Sequence, residues 1–403
     1  MSEARWLSIV GLGENGLDGL SPAARRLVAQ AALVVGGRRH LSLIGPVAAQ
    51  TMTWPSPIEE AFDAIGARRG SPVCVLASGD PFFFGIGSTL MRRFSPMEMV
   101  CVPAPSAFSL AASGLGWAQQ DCALLSLHGR PLEAIIPHLQ AGTRILALSW
   151  DDATPAKLAA LLAERGFGRS KLTVCEAMGG SSERIRTSEA IDYALDNVAA
   201  LNTIALEVVA DKHARVLPRA PGLPDDWFEH DGQITKRDIR AITLAALAPT
   251  RGEMLWDVGA GSGSVAIEWM LAGPANMAVA IEAREDRAAR IVRNSLTFGV
   301  PGLAVARGEA PHVFHDLPQP GAIFIGGGAT APTMIERAVD ALPAGGRLVV
   351  NAVTLETQAA CAGWRTRWGG ELLQIAVAHA EAVGRFSGWR TAMPVVQWRW
   401  AKP

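Results

Sequence analysis

The sequence predicts an α/β protein of two domains, and three observations predict it. At 403 residues the chain is long for one domain and suits two of ordinary size. Short runs of Val, Ile, Leu and Ala alternate with helical patterns along its length, the signature of helix-flanked sheets with mostly parallel strands. One seam interrupts the alternation: Pro218, Pro221 and Pro224 recur every third residue between Leu217 and Asp226, a spacing that favours an extended connector. The expected division is therefore 1–216, a connector at 217–226, and 227–403. The two halves share a style but no motif, which implies two different α/β folds.

Strands are expected in the first half at Trp6–Gly11, Leu33–Gly36, Val73–Ala77, Met97–Val102, Ala123–Leu127, Arg144–Leu148, Leu172–Glu176 and Thr203–Val208. Helical patterns cover Ser21–Ala31, Ile58–Arg69 and Pro155–Arg165; Ser21-Pro22 is a good opening, a serine cap before a proline at the first helical position. In the second half the strands are Met254–Val258, Met277–Glu282, Leu303–Arg307, Ala322–Gly326 and Arg347–Ala352. β-rich segments near Leu372–His379 and Pro394–Trp400 close an open, doubly wound sheet.

Composition narrows the function. The chain is 49% hydrophobic and 19% charged, ample for buried cores, with a formal net charge of −1. No long basic run tracks a phosphate backbone, so nucleic acid is not an expected partner. The five cysteines, Cys74, Cys101, Cys122, Cys175 and Cys361, are widely spaced with no CxxC pair, so neither a disulfide framework nor a zinc site is expected. The stretch from Met1 to Leu12 carries Glu3 and turns at once into a strand and a glycine loop, unlike a leader, and no apolar run approaches a membrane span. A cytoplasmic, reduced, soluble protein with no membrane partner is expected.

The strongest motif is Leu255-Trp256-Asp257-Val258-Gly259-Ala260-Gly261-Ser262-Gly263-Ser264. A buried strand ends at Asp257, glycines turn the chain sharply, and a helix follows, so backbone N–H groups can approach a ligand. Glu282 closes the next strand, where a carboxylate can hold two ribose hydroxyls. Asp257 is expected to point into the same region, which suits a cationic ligand better than a pyrophosphate. Glu309, after the third strand, is placed to face an adenine amino group. The pattern resembles class I S-adenosylmethionine-dependent methyltransferases, a Rossmann-like fold. That resemblance implies a donor-binding set of Thr235, Asp257, Gly259, Ala260, Gly261, Ser262, Gly263, Glu282, Ala283, Glu309, Ala310 and Gly326. Asp231–Arg240, Ile325–Gly328 and Val353–Thr357 together resemble a cobalamin-pathway family that methylates C15 of a precorrin and decarboxylates it.

In the first half, Val10–Ser21, Ser78-Gly79-Asp80-Pro81 running into Phe82-Phe83-Phe84-Gly85-Ile86-Gly87, and Pro103–Phe108 stand out. Each alone is an ordinary turn; the three phenylalanines after a polar turn argue for a loop over an apolar cleft, or for core packing. Together they resemble the tetrapyrrole (corrin/porphyrin) methylase family, a two-lobed fold in which three loops converge on S-adenosylmethionine. The resemblance implies donor contacts at Gly11, Gly13, Gly79, Asp80, Pro81 and Ser106. Where many members carry Pro-Gly-Asp-Pro in the first loop, this chain has Glu14-Asn15-Gly16-Leu17, closer to the C5-methylating branch. Ribosomal RNA methylases and a diphthine-forming enzyme share the fold, so the fold alone leaves the substrate open.

The fusion of these halves resembles the C5,15-methylating, decarboxylating methyltransferases of cobalamin biosynthesis. What that implies is two methyl transfers and loss of CO2 from the ring C acetate, taking precorrin-6B to precorrin-8. The implied cofactor is S-adenosyl-L-methionine, one per domain, with no metal; the implied partners are the precorrin tetrapyrrole and further copies of the chain in a homo-oligomer. Decarboxylation can use the macrocycle as its electron sink. The pair His312 and His315 at helical spacing is expected to be surface or supporting histidine. A polycarboxylate substrate calls for cations at the clefts: Lys236, Arg237, Arg240, Arg385 and Arg390 in the second half, Arg130 in the first. Gln233 and Thr235 offer polar contacts, and Trp389 offers a flat face for stacking. No acid–base residue stands out.

Overall fold

The computed structural model describes residues 5–403, which leaves Glu3 outside the described residues. The chain forms two compact units: one of residues up to Leu132 with His138–Val216, the other of Glu133–Pro137 with Leu217–Pro403.

The first unit has two lobes. Strands β1 (Leu7–Leu12), β2 (Leu33–Gly36), β3 (Gln50–Thr53), β4 (Val73–Ser78) and β5 (Met99–Val102) pair in the order β3-β2-β4-β1-β5, all parallel. β1 and β2 are buried along their whole length, as continuous apolar runs must be when helices cover both faces. Leu7, Ile9, Val35 and Val75 face Phe62 and Ile65 of helix Glu60–Gly66. Val10, Val34 and Leu76 face Ala24 and Val28 of helix Pro22–Gln30, whose cap Ser21 accepts the Ala24 N–H at 3.2 Å.

The second lobe departs from the expected parallel arrangement. β6 (Cys122–Ser126), β7 (Arg144–Leu148), β8 (Lys171–Glu176), β9 (Arg184–Glu189) and β10 (Asn202–Glu207) run in the order β6-β7-β10-β8-β9. β6 and β7 are parallel; the other pairs are antiparallel. The short link from β8 to β9 allows only a hairpin, because a parallel return needs a long crossover. β3 and β9 were not expected: β9 presents an exposed, polar pattern with no apolar run to announce it.

The second unit is one sheet: β11 (Met254–Val258), β12 (Met277–Glu282), β13 (Ala304–Arg307), β14 (Ala322–Ile325), β15 (Arg347–Ala352), β16 (Glu371–Ile375) and β19 (Val395–Ala401), in the order β13-β12-β11-β14-β15-β19-β16. The first five are parallel; β19 inserts antiparallel between β15 and β16. A separate exposed hairpin, β17 (Ala378–Val383) with β18 (Phe386–Thr391), interrupts the closing pair. Trp256, Ile323, Leu348, Val350 and Trp398 centre the core.

The proline-rich stretch runs extended but docked within this unit. Leu217 and Leu223 are buried, and the Gly222 and Leu223 N–H groups donate to Glu268 at 2.6 and 2.9 Å. Among the described residues no helix is long and apolar enough to cross a membrane.

Candidate active site

In the second unit the strand order reverses direction at β11, whose neighbours β12 and β14 are followed by chain running to opposite edges. A crevice must open over the carboxyl ends of the strands there. A cavity of about 1170 Å³ occupies it. Its wall is taken from five successive strand ends: Gly259–Gly261 after β11, Glu282 and Ala283 at β12, Glu309 and Ala310 after β13, Gly326 after β14, and Asn351 on β15.

The glycine turn is held by Glu282, which accepts the Gly261 N–H on Oε2 at 2.9 Å and the Arg284 N–H on Oε1 at 3.0 Å. Bare backbone faces the cavity at Gly327 and Gly328, where a Cβ would meet no atom within 4 Å. Gln233, Thr235, Lys236 and Arg237 line the opposite side. Arg287 joins them, tied to Asp231 at 2.9 Å, and its guanidinium holds the Asp231 carboxyl well below the usual range.

Three residues of the expected donor set stand behind the wall. Asp257 is 1% exposed and its Oδ2 accepts the Ala266 N–H at 3.0 Å, in the first turn of helix Ser264–Leu271. The carboxylate thus serves the helix N-terminus and does not line the cavity. Burial pushes its carboxyl up to about 7, helped by nearby Glu282. Ser262 is fully buried, and Gly263 takes a φ of +76° against Ile291, where a Cβ would lie 2.8 Å from Cγ2. Both serve packing.

The cation candidates divide in the same way. Lys236 and Arg237 line the cavity. Arg240 is 0% exposed: it pairs with Glu268 at 2.6 Å and Asp225 at 3.0 Å and donates to the Leu223 and Thr235 carbonyls. It clamps the extended stretch to the fold and is no substrate contact. Arg390 pairs with Glu381 at 3.0 Å on the hairpin and Arg385 lies over Phe386; neither lines the cavity. Trp389 is 78% exposed on β18 and off the cavity wall. His315 is exposed beside Asp316 at 3.2 Å, and among the described residues no cluster of three potential metal ligands occurs.

One feature of the wall had no announcement in the sequence. Arg399 can only donate, so its 2.7 Å bond fixes Oε1 of Gln397 toward it. Nε2 of Gln397 then donates to Oδ1 of Asn351 at 2.8 Å, and Nδ2 of Asn351 donates to Thr243 at 2.9 Å. Asn351 is thereby held with its amide nitrogen in one orientation at the cavity edge.

In the first unit a cavity of about 820 Å³ lies between the two lobes. Three loops pack so closely that a Cβ on Gly11 would sit 2.0 Å from the Gly79 carbonyl oxygen and 2.4 Å from the Ala104 nitrogen. Gly11 therefore lets the loops meet and stays off the cavity wall, as does Pro81; Gly13, Gly79, Asp80 and Ser106 line it. Phe83 and Phe84 line it too, with Phe84 at a left-handed φ of 56°, while Phe82 lies outside. Arg130 lines it, 5.7 Å above the Phe84 ring.

Sequence reasoning passed over Arg39 and His40, which follow β2 and line the same cavity. The signal was present: Gly36-Gly37-Arg38-Arg39-His40 sets a basic cluster at the carboxyl end of a buried parallel strand.

Residues 7–192 match the family described as tetrapyrrole (corrin/porphyrin) methylases, and residues 226–402 the precorrin methyltransferase domain. A precorrin-6Y C(5,15)-methyltransferase [decarboxylating] from Sinorhizobium sp is 54% identical over 98% of this chain and 96% of its own. One of the same name from Mycobacterium tuberculosis is 42% identical over 97% of this chain and 98% of its own. The crystal structure of the C-terminal domain of precorrin-6Y C5,15-methyltransferase from Rhodobacter capsulatus is 47% identical, covers 46% of this chain and 100% of that chain, and superposes with a TM-score of 0.44.

Proposed function

The chain belongs to the precorrin-6Y C5,15-methyltransferase (decarboxylating) family, and from that premise we propose how its two cavities divide the work. It is a C-methyltransferase of cobalamin biosynthesis that methylates its precorrin at C5 and C15 and decarboxylates it. The proposed division places C5 methylation in the first unit and C15 methylation with decarboxylation in the second, each with its own S-adenosyl-L-methionine. The observation that carries this reading is the presence in each unit of a separate cavity rimmed by that unit's own glycine turns.

The residues fit the donor. In the second unit the open backbone at Gly327 and Gly328 and the Glu282 carboxylate offer room and an acceptor for a ribose. In the first, Gly13, Gly79, Asp80 and Ser106 are the matching set. The bound donor supplies an electrophilic methyl group on a sulfonium. Near-attack positioning and exclusion of water are what the chain adds. Lys236 and Arg237 stand where substrate carboxylates reach the second cavity, and Asn351 presents a fixed amide there.

Calorimetric titration of the whole chain with S-adenosylhomocysteine tests the reading: two sites per chain are expected, and a single site overturns it.

A further inference from the structure

Four polar side chains converge where three neighbouring parallel strands of the first unit end. Glu14 follows β1, Arg39 and His40 open helix Arg38–Ile44 after β2, and Ser78 closes β4; all four line the cavity. Arg39 is paired with Glu14. Its Nη2 donates to Ser78 Oγ at 2.9 Å and lies 3.2 Å from His40 Nε2. His40 Nε2 lies 2.8 Å from Ser78 Oγ.

These contacts fix the protons. A guanidinium has no acceptor, so the His40 nitrogen facing it carries a lone pair and the ring proton sits on Nδ1. Nδ1 is buried and has no hydrogen-bond partner, which leaves Nε2 as the ring's working atom. Ser78 Oγ accepts from Arg39, so its own hydrogen points to His40 Nε2. Burial, with Arg39 close by, holds the imidazole down at about 4, so Nε2 carries no proton throughout the neutral range.

From this geometry we propose that Ser78 and His40 form the proton relay of the first unit's methyl transfer, Ser78 facing the substrate and His40 acting behind it. The inference rests on the assignment of C5 methylation to this unit. When the carbon attacks, a C–C bond forms and the methyl–sulfur bond breaks, its electron pair staying on sulfur. The carbon's C–H bond then breaks; its electrons restore the conjugation of the macrocycle. The released proton goes to Ser78 Oγ as the hydroxyl proton passes to His40 Nε2. Arg39 keeps the hydroxyl oriented and is itself anchored by Glu14. No further reactant is needed.

The test uses the whole chain carrying His40→Asn or Ser78→Ala, with three readouts. C5 and C15 methylation are followed separately by product mass; S-adenosylhomocysteine affinity is measured by calorimetry; and rates are compared for substrate bearing hydrogen or deuterium at C5. Either variant is expected to slow C5 methylation by about a hundredfold or more, to leave donor affinity and CO2 release unchanged, and to enlarge the deuterium effect. In the unaltered chain, nitrogen-15 spectra should show His40 Nε2 unprotonated near neutral pH. A rate within about tenfold of the parent, a loss matched by donor affinity, an unchanged deuterium effect or a protonated Nε2 would each overturn the relay. If a chain with Ser78 and His40 intact still methylates C5 when its first cavity is blocked by Ala107→Trp, the assignment itself fails, and the relay with it.

Discussion

The two cavities are built in opposite ways. That of the first unit lies between two lobes and exists because three loops approach to backbone contact at Gly11, Gly79 and Ala104. That of the second needs one sheet only, since the reversal of strand order at β11 leaves a crevice regardless of side chains. Their charge differs as well. Arg38, Arg39, Arg92 and Arg130 face two carboxylates, Glu14 and Asp80, around the first cavity. Around the second, Asp225, Asp238, Glu282 and Glu309 face Lys236, Arg237 and Arg287. On the proposed division, one sulfonium donor would be served by two unrelated scaffolds, and the polyanionic acceptor would meet a cationic cavity in one and a mixed one in the other.

The largest effect should come from filling each cavity in turn. Ala283→Trp places an indole in the second cavity and Ala107→Trp does so in the first, both from positions on the wall and outside the core clusters. Each is expected to remove one S-adenosylhomocysteine site in calorimetry and leave the other within about threefold, an energy change below about 1 kcal/mol. Ala283→Trp should also abolish CO2 release. If one substitution removed both sites, the independence of the two units would be lost.

Next in size is the clamp of the second unit. Arg240→Met strands Glu268, which still accepts two backbone N–H groups but loses its buried cation. Removing one partner of a buried pair costs about 3–5 kcal/mol. Urea unfolding should show this loss in the second unit. A change below about 1 kcal/mol would mean that water reaches Glu268.

How far the sequence disclosed all this follows from burial. Leu33–Gly36, Met254–Val258, Met277–Glu282 and Arg347–Ala352 were readable to the residue because strands covered on both faces are apolar along most of their length. The hairpin Ala378–Val383 with Phe386–Thr391 and the strand Arg184–Glu189 were not, because solvent-facing strands carry no such constraint. The glycine turns were legible for the same reason that Gly11 is irreplaceable: backbone geometry excludes a side chain. Side-chain roles were less so. Asp257 looked like a ligand contact but caps a helix, a choice decided by which face of β11 it occupies. Arg240 was a misreading with a visible warning, since it shares one helical stripe with Leu244 and Leu247, both buried. Asn351 depends on partners 46 and 108 residues away, Gln397 and Thr243, a pairing that no local pattern encodes.

Two buried carboxylates sharpen the comparison through pH. Glu176 in the first unit loses water on burial, but the side chains of Arg184 and Arg186 and the Ala199 N–H outweigh this and hold it down at about 2. Its folded-state value lies below the unfolded one, so its stabilisation is complete above about 4.5 and fades as pH falls toward about 2. Asp257 has no cation and its value is raised to about 7. Here the folded state holds the proton more tightly, so stability declines as pH rises from about 4 to about 7 and stays low above. Asp257→Asn should remove that decline. Unfolding midpoints of the second unit at about pH 5 and about pH 8 check it, and an unchanged decline would show that Asp257 is ionised at no cost.

The smallest effect tests the charge contrast directly. Exposed charges are screened beyond about 8–10 Å at physiological ionic strength, and buried ones much less. On the proposed division, the arginines lining the first cavity would act on the substrate's carboxylates, whereas Lys236 and Arg237 line a cavity that also carries Asp225, Asp238, Glu282 and Glu309. Raising ionic strength from about 0.05 to about 0.5 M should therefore increase the KM for precorrin in C5 methylation by several-fold and in C15 methylation by less than about twofold. The KM for the cationic donor should move the other way in the first cavity, where salt relieves its repulsion by the arginines. Equal salt dependence of both precorrin KM values would show that binding in the first cavity is set by shape and not by its excess of cations.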